Sequence, residues 1–241
     1  MKFTYLLVNL FAVIIPFIFS FHPKIKFNKF FGAYFLANTI SAFCFIIWDA
    51  VFSANGVWGF SNNYTVGLEL FSLPVEEILF FFCIPFACVF TYHCLNKFYI
   101  IVWNRKFENT FILLFAFALL FIGFIHFDKI YTSVTFISTS LMILTFKFIF
   151  KVQWLPKILS VYPILLIPFF IVNGILTGYG LAEPVVWYNN AENLSIRLLT
   201  IPIEDVIYGF ELIMLTIFIY EKFKSTFYKR VQLDDEEIWA L

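Results

Sequence analysis

Two stretches decide the fold: Leu73-Pro74-Val75-Glu76-Glu77-Ile78-Leu79-Phe80 and Ile201-Pro202-Ile203-Glu204-Asp205-Val206-Ile207-Tyr208. Each sets a proline at the mouth of a long apolar run and follows it with two adjacent acids. Proline suits the first turn of a helix, where a missing N–H costs nothing. Acids there meet unpaired backbone donors and the positive end of the helix dipole. Capping accounts for one acid at each helix start; adjacent pairs at both ask for a second role. Neighbours on a helix point about 100° apart, so one acid of a pair can face a cavity while the other caps or orients. Ionisable groups at membrane depth are functional candidates facing a protein interior.

Upstream of each stretch lies a long connection with a matching tryptophan. The first reads Gly56-Val-Trp-Gly-Phe-Ser-Asn-Asn-Tyr64 and the second Val186-Trp-Tyr-Asn-Asn-Ala-Glu-Asn193; Trp58 precedes Pro74 by 16 residues and Trp187 precedes Pro202 by 15. This is an internal repeat. Duplicating a three-helix unit leaves the copies inverted, and one extra helix between them restores a parallel arrangement.

The composition names the solvent. With 62% hydrophobic and 13% charged residues and a mean hydropathy of +0.89, the chain lies far from soluble usage. Crossing a hydrocarbon core takes about 20 apolar residues, and seven segments qualify: 3–21, 32–52, 75–95, 110–126, 131–150, 159–176 and 203–220, the fourth being short. The first resembles a signal peptide but lacks a small-x-small cleavage site and is read as a helix. The expected fold is an all-α integral membrane protein of about seven transmembrane helices, two parallel three-helix repeats joined by a spacer. The first repeat covers 1–97, the spacer helix and its loops 98–130, and the second repeat with a cytoplasmic tail 131–241.

Loop charges set the orientation. Lys24, Lys26, Lys29, Lys97, Arg105, Lys106, Lys151, Lys157, Lys222, Lys224, Lys229 and Arg230 fall on one side, against Lys2, Lys129 and Arg197 on the other. The N-terminus is therefore expected outside and the C-terminus in the cytoplasm, in the cell (inner) membrane. The alternation requires seven spans, which supports the fourth.

Several classes recede. Formal net charge is zero, so no basic face invites nucleic acid. Cys44, Cys83, Cys88 and Cys94 have neither CxxC spacing nor histidine partners and read as packing residues. His93 and His126 lack a second ligand at metal spacing, so no metal is expected. Gly174 and Gly178 form a small-xxx-small pair suited to helix packing, and Asn173 is expected to be hydrogen-bonded inside the bundle. No GxGxxG follows a strand-like segment, and no lysine lies within 203–220 for a retinal Schiff base. A proton-coupled transporter would need Gly-broken helices at the midplane, whereas these acids cluster at one face.

The chemistry starts from desolvation. In apolar, aromatic surroundings a carboxyl is favoured in its protonated form, more so beside a second carboxylate. A protonated acid next to an alkene, walled by aromatic faces that stabilise a cation, is what proton-initiated isoprenoid cyclisation requires.

The segments from Gly56-Val-Trp-Gly-Phe60 to Leu73-Pro-Val-Glu-Glu77, and from Trp187-Tyr-Asn-Asn-Ala-Glu-Asn193 to Ile201-Pro-Ile-Glu-Asp205, resemble the twin Pro-x-Glu-(Glu/Asp) motifs of the non-flavin lycopene cyclases. Those membrane enzymes occur as two small subunits or as a fused pair, and this chain is similar to the fused form over nearly its whole length. Asn190 departs from the proline expected in many relatives, which bears on loop shape. The resemblance implies conversion of the acyclic ends of lycopene to β-ionone rings without net redox change, yielding β-carotene by way of γ-carotene, and no cofactor. It makes Glu76 and Glu204 the leading candidates for the initiating acid, and Glu77 and Asp205 candidates for the base or for partners of the acid. Trp58 and Trp187 are candidates to shield the cation, or else interfacial belt residues. Asp49 is a further polar member of the site or a solvated boundary residue. The implied partners are lycopene or a related carotenoid and the lipid bilayer; a homo-oligomer and association with other carotenoid enzymes stay open. A carotenoid 1,2-hydratase of related fold, which traps the same cation with water, stands as the alternative.

Overall fold

The computed structural model describes residues 2–238, with side chains through residue 227. Lys229 and Arg230, counted above for orientation, and the acidic run 234–237 lie outside the described side chains. The helices are α1 Thr4–Phe19, α2 Phe31–Ala54, α3 Val75–Phe98, α4 Arg105–Ile125, α5 Ile130–Leu144, α6 Leu155–Leu176 and α7 Ile203–Ile238. Apolar runs become helices here because hydrocarbon offers backbone N–H and C=O groups no partner but each other. With the turns that flank α2 and α5 included, α2 to α6 are each long and apolar enough to cross a membrane; α1 is a shorter apolar helix.

Order and pairing express the repeat. Helices α1–α3 form one unit and α5–α7 the other, with α4 packed along α5 as the spacer. Strand β1, Trp58–Phe60, pairs antiparallel with β4, Val186–Tyr188, and sets Trp58 opposite Tyr188 and Gly59 opposite Trp187. The two pairings exchange places when the halves are exchanged, as a two-fold relation demands. The ladder also fixes both long connections at one end of the bundle. There Ser61 Oγ (2.8 Å) and Asn63 Nδ2 (2.6 Å) donate to Glu183 Oε1 from the opposite half. Those donors, Asn63 first, hold the Glu183 carboxyl below its ordinary value.

Each connection ends in a small hairpin that aims the following helix. Strands β2, Glu69–Leu70, and β3, Leu73–Pro74, pair in the first half; β5, Arg197–Leu198, and β6, Ile201–Pro202, pair in the second. Val75 N donates to Leu68 O at 2.9 Å and Ile203 N to Ile196 O at 3.0 Å, so each proline comes one residue before its helix in the same local frame.

Buried polar groups hold the helices in register. Pro85, inside α3, cannot donate to the carbonyl four residues back, and Asn38 Nδ2 from α2 fills that place on Phe81 O at 3.2 Å. His93 is a core histidine, packed by Phe27 and Phe30 and within 3.3 Å of Tyr220 Oη and Ile25 O.

Three expectations need correction. Helix α4 begins at Arg105, earlier than residue 110, because Asn104 caps it by accepting from Lys106 N at 2.9 Å, and Lys147 pairs with Glu108. Helix α7 continues past residue 220 without a break. Gly174 and Gly178 are not a helix-packing pair: Gly178 lies beyond the end of α6 at φ +101°, a left-handed turn, and Gly174 has nothing closer than the Tyr179 Cβ of that same turn.

Candidate active site

The two acid pairs divide their labour by the 100° turn between neighbours. Glu76 and Glu204 point away from the bundle's open interior and into the loops that precede them. Glu76 Oε1 accepts from Val66 N at 2.7 Å; Glu204 Oε1 accepts from Leu194 N at 2.8 Å and from Thr132 Oγ1 at 2.6 Å. Acceptor and amide are ten residues apart in both halves. Asn9 Nδ2 adds a bond to the main-chain oxygen of Glu76 at 2.7 Å. Both carboxyls are fully buried.

Glu77 and Asp205 turn the other way and line one cavity of about 510 Å³. Tyr5 Oη donates to Glu77 Oε2. Asp205 is held on both oxygens, by Tyr131 Oη at 2.6 Å and Tyr188 Oη at 2.9 Å. Desolvation, followed by the charge of Asp205, pushes the Tyr188 phenol well above its ordinary value, so it stays a donor. Asp49 lines the same cavity at 2% exposure and accepts from Trp58 Nε1, so it is no solvated boundary residue. Three carboxyls thus share one space. Their walls are aromatic: Trp58 meets Tyr131 edge-on at 5.0 Å, Tyr131 stacks on Tyr188 at 6.0 Å, and Tyr208 lies 6.1 Å from Trp58. Such faces present negative quadrupole to a cation while excluding water.

The tryptophans part company. Trp58 is buried in the cavity wall, whereas Trp187 is 44% exposed, does not line the cavity and lies over Gly59. A Cβ at Gly59 would strike the Trp187 ring. Tyr188, its neighbour, enters the cavity instead. Asn190 shapes its loop, accepting from Arg197 Nη2 at 2.7 Å and, on its main-chain oxygen, from Ser195 Oγ at 3.0 Å. Asn173 lines the cavity and donates to Phe169 O at 3.3 Å.

Sequence reasoning does not find the tyrosines that hold the acids. One signal was present: Tyr5 and Tyr131 each stand near the start of the first helix of a half. It also passes over Glu211, buried on α7, which accepts from Ser138 Oγ (2.9 Å) and Thr139 Oγ1 (2.8 Å) of α5 outside the cavity.

The lycopene cyclase family model matches residues 2–95 and 128–223, once in each half. No curated protein and no solved structure matches the chain significantly. The matched stretches cover most of the chain, and each carries one of the Pro-x-Glu-acid helix starts whose second acid reaches the shared cavity. The chain belongs to the lycopene cyclase family, membrane enzymes of carotenoid cyclisation.

Proposed function

We propose that the protein is a lycopene β-cyclase, turning the acyclic ends of lycopene into β-ionone rings and giving β-carotene by way of γ-carotene. The observation that carries this reading is that Glu77 and Asp205, one carboxyl from each half, line a single apolar, aromatic-walled cavity. A proton added at C2 of the 1,2 double bond leaves a cation at C1. The 5,6 double bond attacks, forming the C1–C6 bond and moving the cation to C5. Loss of the C6 proton restores a double bond between C5 and C6. One proton enters and one leaves, so no oxidant, reductant or cofactor enters the balance.

Glu77 suits the acid, because only Oε2 is engaged, by Tyr5, and the carboxyl faces the cavity. Asp205 suits the base and counter-ion, since two phenols hold both its oxygens in place. This moves the initiating role from Glu76 and Glu204, whose bonded oxygens serve the loops. Trp58 and Tyr131, both in the cavity wall, suit the shielding of the cation. Membranes carrying the protein, given lycopene in deuterated water without added flavin, should yield β-rings with one deuterium each, at C2. Rings free of deuterium, or an absolute flavin requirement, would defeat the mechanism.

For orientation, the excess of lysine and arginine at the end opposite the β1–β4 ladder supports an outside N-terminus in the cell membrane. A cysteine introduced at Asn63 should react with an impermeant maleimide in intact cells. Labelling only after lysis would invert the topology.

A further inference from the structure

We propose that the cavity is loaded sideways from the bilayer, through the gap between α1 and α6, and takes one end of the polyene at a time. The inference rests on the cyclase reading above. A two-fold repeat should make two equivalent sites, yet the two sides differ. Helix α2 packs closely on α7 and on α3, whereas its counterpart α6 touches α1, α3 and α7 sparsely, and the cavity opens on that side. The two tryptophans have diverged as well, Trp58 in the wall and Trp187 outside it. Among the described residues, one space therefore holds the cavity carboxyls of both halves.

Its shape and rim point to the occupant. The lining follows α3 from Glu77 to Thr91, about 21 Å at 1.5 Å per residue. It is a slot running down the bundle, with its carboxyls at one end and mainly apolar side chains along the rest. Phe11 and Ile15 of α1 and Ile171 of α6 line the slot while remaining 68%, 62% and 63% exposed. Residues that face both the cavity and the surroundings mark where the wall stops, and in a membrane those surroundings are lipid. Pro16 and Pro168 also line the slot on the same two helices. Each lacks the N–H that would continue its helix ladder, which favours a bend there.

A long, rigid, apolar chain dissolved in lipid can slide an end group through this gap to the acids while its remainder stays between the helices and in the bilayer. After one ring closes, the chain must leave and return reversed before the second end can react. The one-ring carotenoid is then a free intermediate that competes with fresh substrate.

The test narrows the gap. Ala12→Trp and Ile171→Trp should each lower lycopene turnover by about tenfold or more, with a smaller effect on a short isoprenoid that carries the same acyclic end group and no polyene tail. Leu10→Trp, on α1 and outside the cavity lining, is the control and should turn over lycopene like the parent. Equal loss on long and short substrates by both variants, or no loss on lycopene, would overturn sideways loading. Should neither variant accumulate, a chase on the unmodified protein decides. Labelled lycopene followed by excess unlabelled lycopene should leave the label in the one-ring product. Passage of label straight to two rings, undiluted, would overturn the one-end-at-a-time scheme. If Glu77→Gln cyclises normally, it is the underlying reading that fails, whatever the gap variants do.

Discussion

Glu77→Gln should reduce lycopene cyclisation by about a hundredfold or more, the usual loss when a positioned acid can no longer transfer its proton. The amide keeps the size of the side chain and an oxygen for the Tyr5 hydroxyl, so the bundle should accumulate normally. Asp205→Asn should cost a comparable factor for a different reason. Two phenols place its carboxylate to take up the C6 proton and to stabilise the cation before that step; an amide oxygen is a much weaker base. Because both acids line one cavity, each single variant should lose both rings, not one of two. Pigment chromatography at matched protein level reads the result. Near-parental turnover by either variant would remove that residue from the chemistry. One-ring product formed at a near-parental rate with no two-ring product, from either variant, would argue for two independent sites.

How far the sequence speaks depends on whether a feature is periodic or geometric. Helix count, the repeat and the shared end of the two long connections were legible because hydropathy and the Pro-x-Glu-acid spacing recur in the chain itself. Which acid of a pair faces inward was not. Glu76 and Glu77 differ by 100° of helix rotation, and that rotation is fixed by the connection in front of the helix, where Val66 N, upstream of the hairpin, reaches Glu76 Oε1. Trp187 shows the same blindness: matched spacing predicts matched roles, but in an antiparallel ladder Gly59 stands opposite Trp187 and Tyr188 opposite Trp58. The ring of Trp187 thus lies over the glycine, and tyrosine takes the inward place. The early start of α4 was hidden because Arg105, Lys106 and Glu108 look like a loop until Lys147, far along the chain, supplies the counter-charge. That the cavity opens beside α6 is a matter of how closely α6 packs, which no motif records.

Glu204→Ala should destabilise the protein severely without being a catalytic lesion. Its carboxyl oxygen is the acceptor for a backbone amide and a threonine hydroxyl in a fully buried site. Removing it strands both donors, at about 1–3 kcal/mol each, against a native margin of about 5–15 kcal/mol. Glu76→Ala strands the Val66 amide alone and should lose less. Gln at either position returns the accepting oxygen and should recover part of the stability. Thermal unfolding in lipid nanodiscs should rank the variants parent, Glu76→Ala, Glu204→Ala in falling order. Cyclisation per folded molecule should fall far less than in Glu77→Gln. The difference arises because the loops that Glu76 and Glu204 brace lead into the hairpins before α3 and α7, which carry Glu77 and Asp205, so a loosened loop blurs the acids' positions without removing the proton. A stable Glu76→Gln or Glu204→Gln protein with no turnover would return the initiating role to the first acid of each pair.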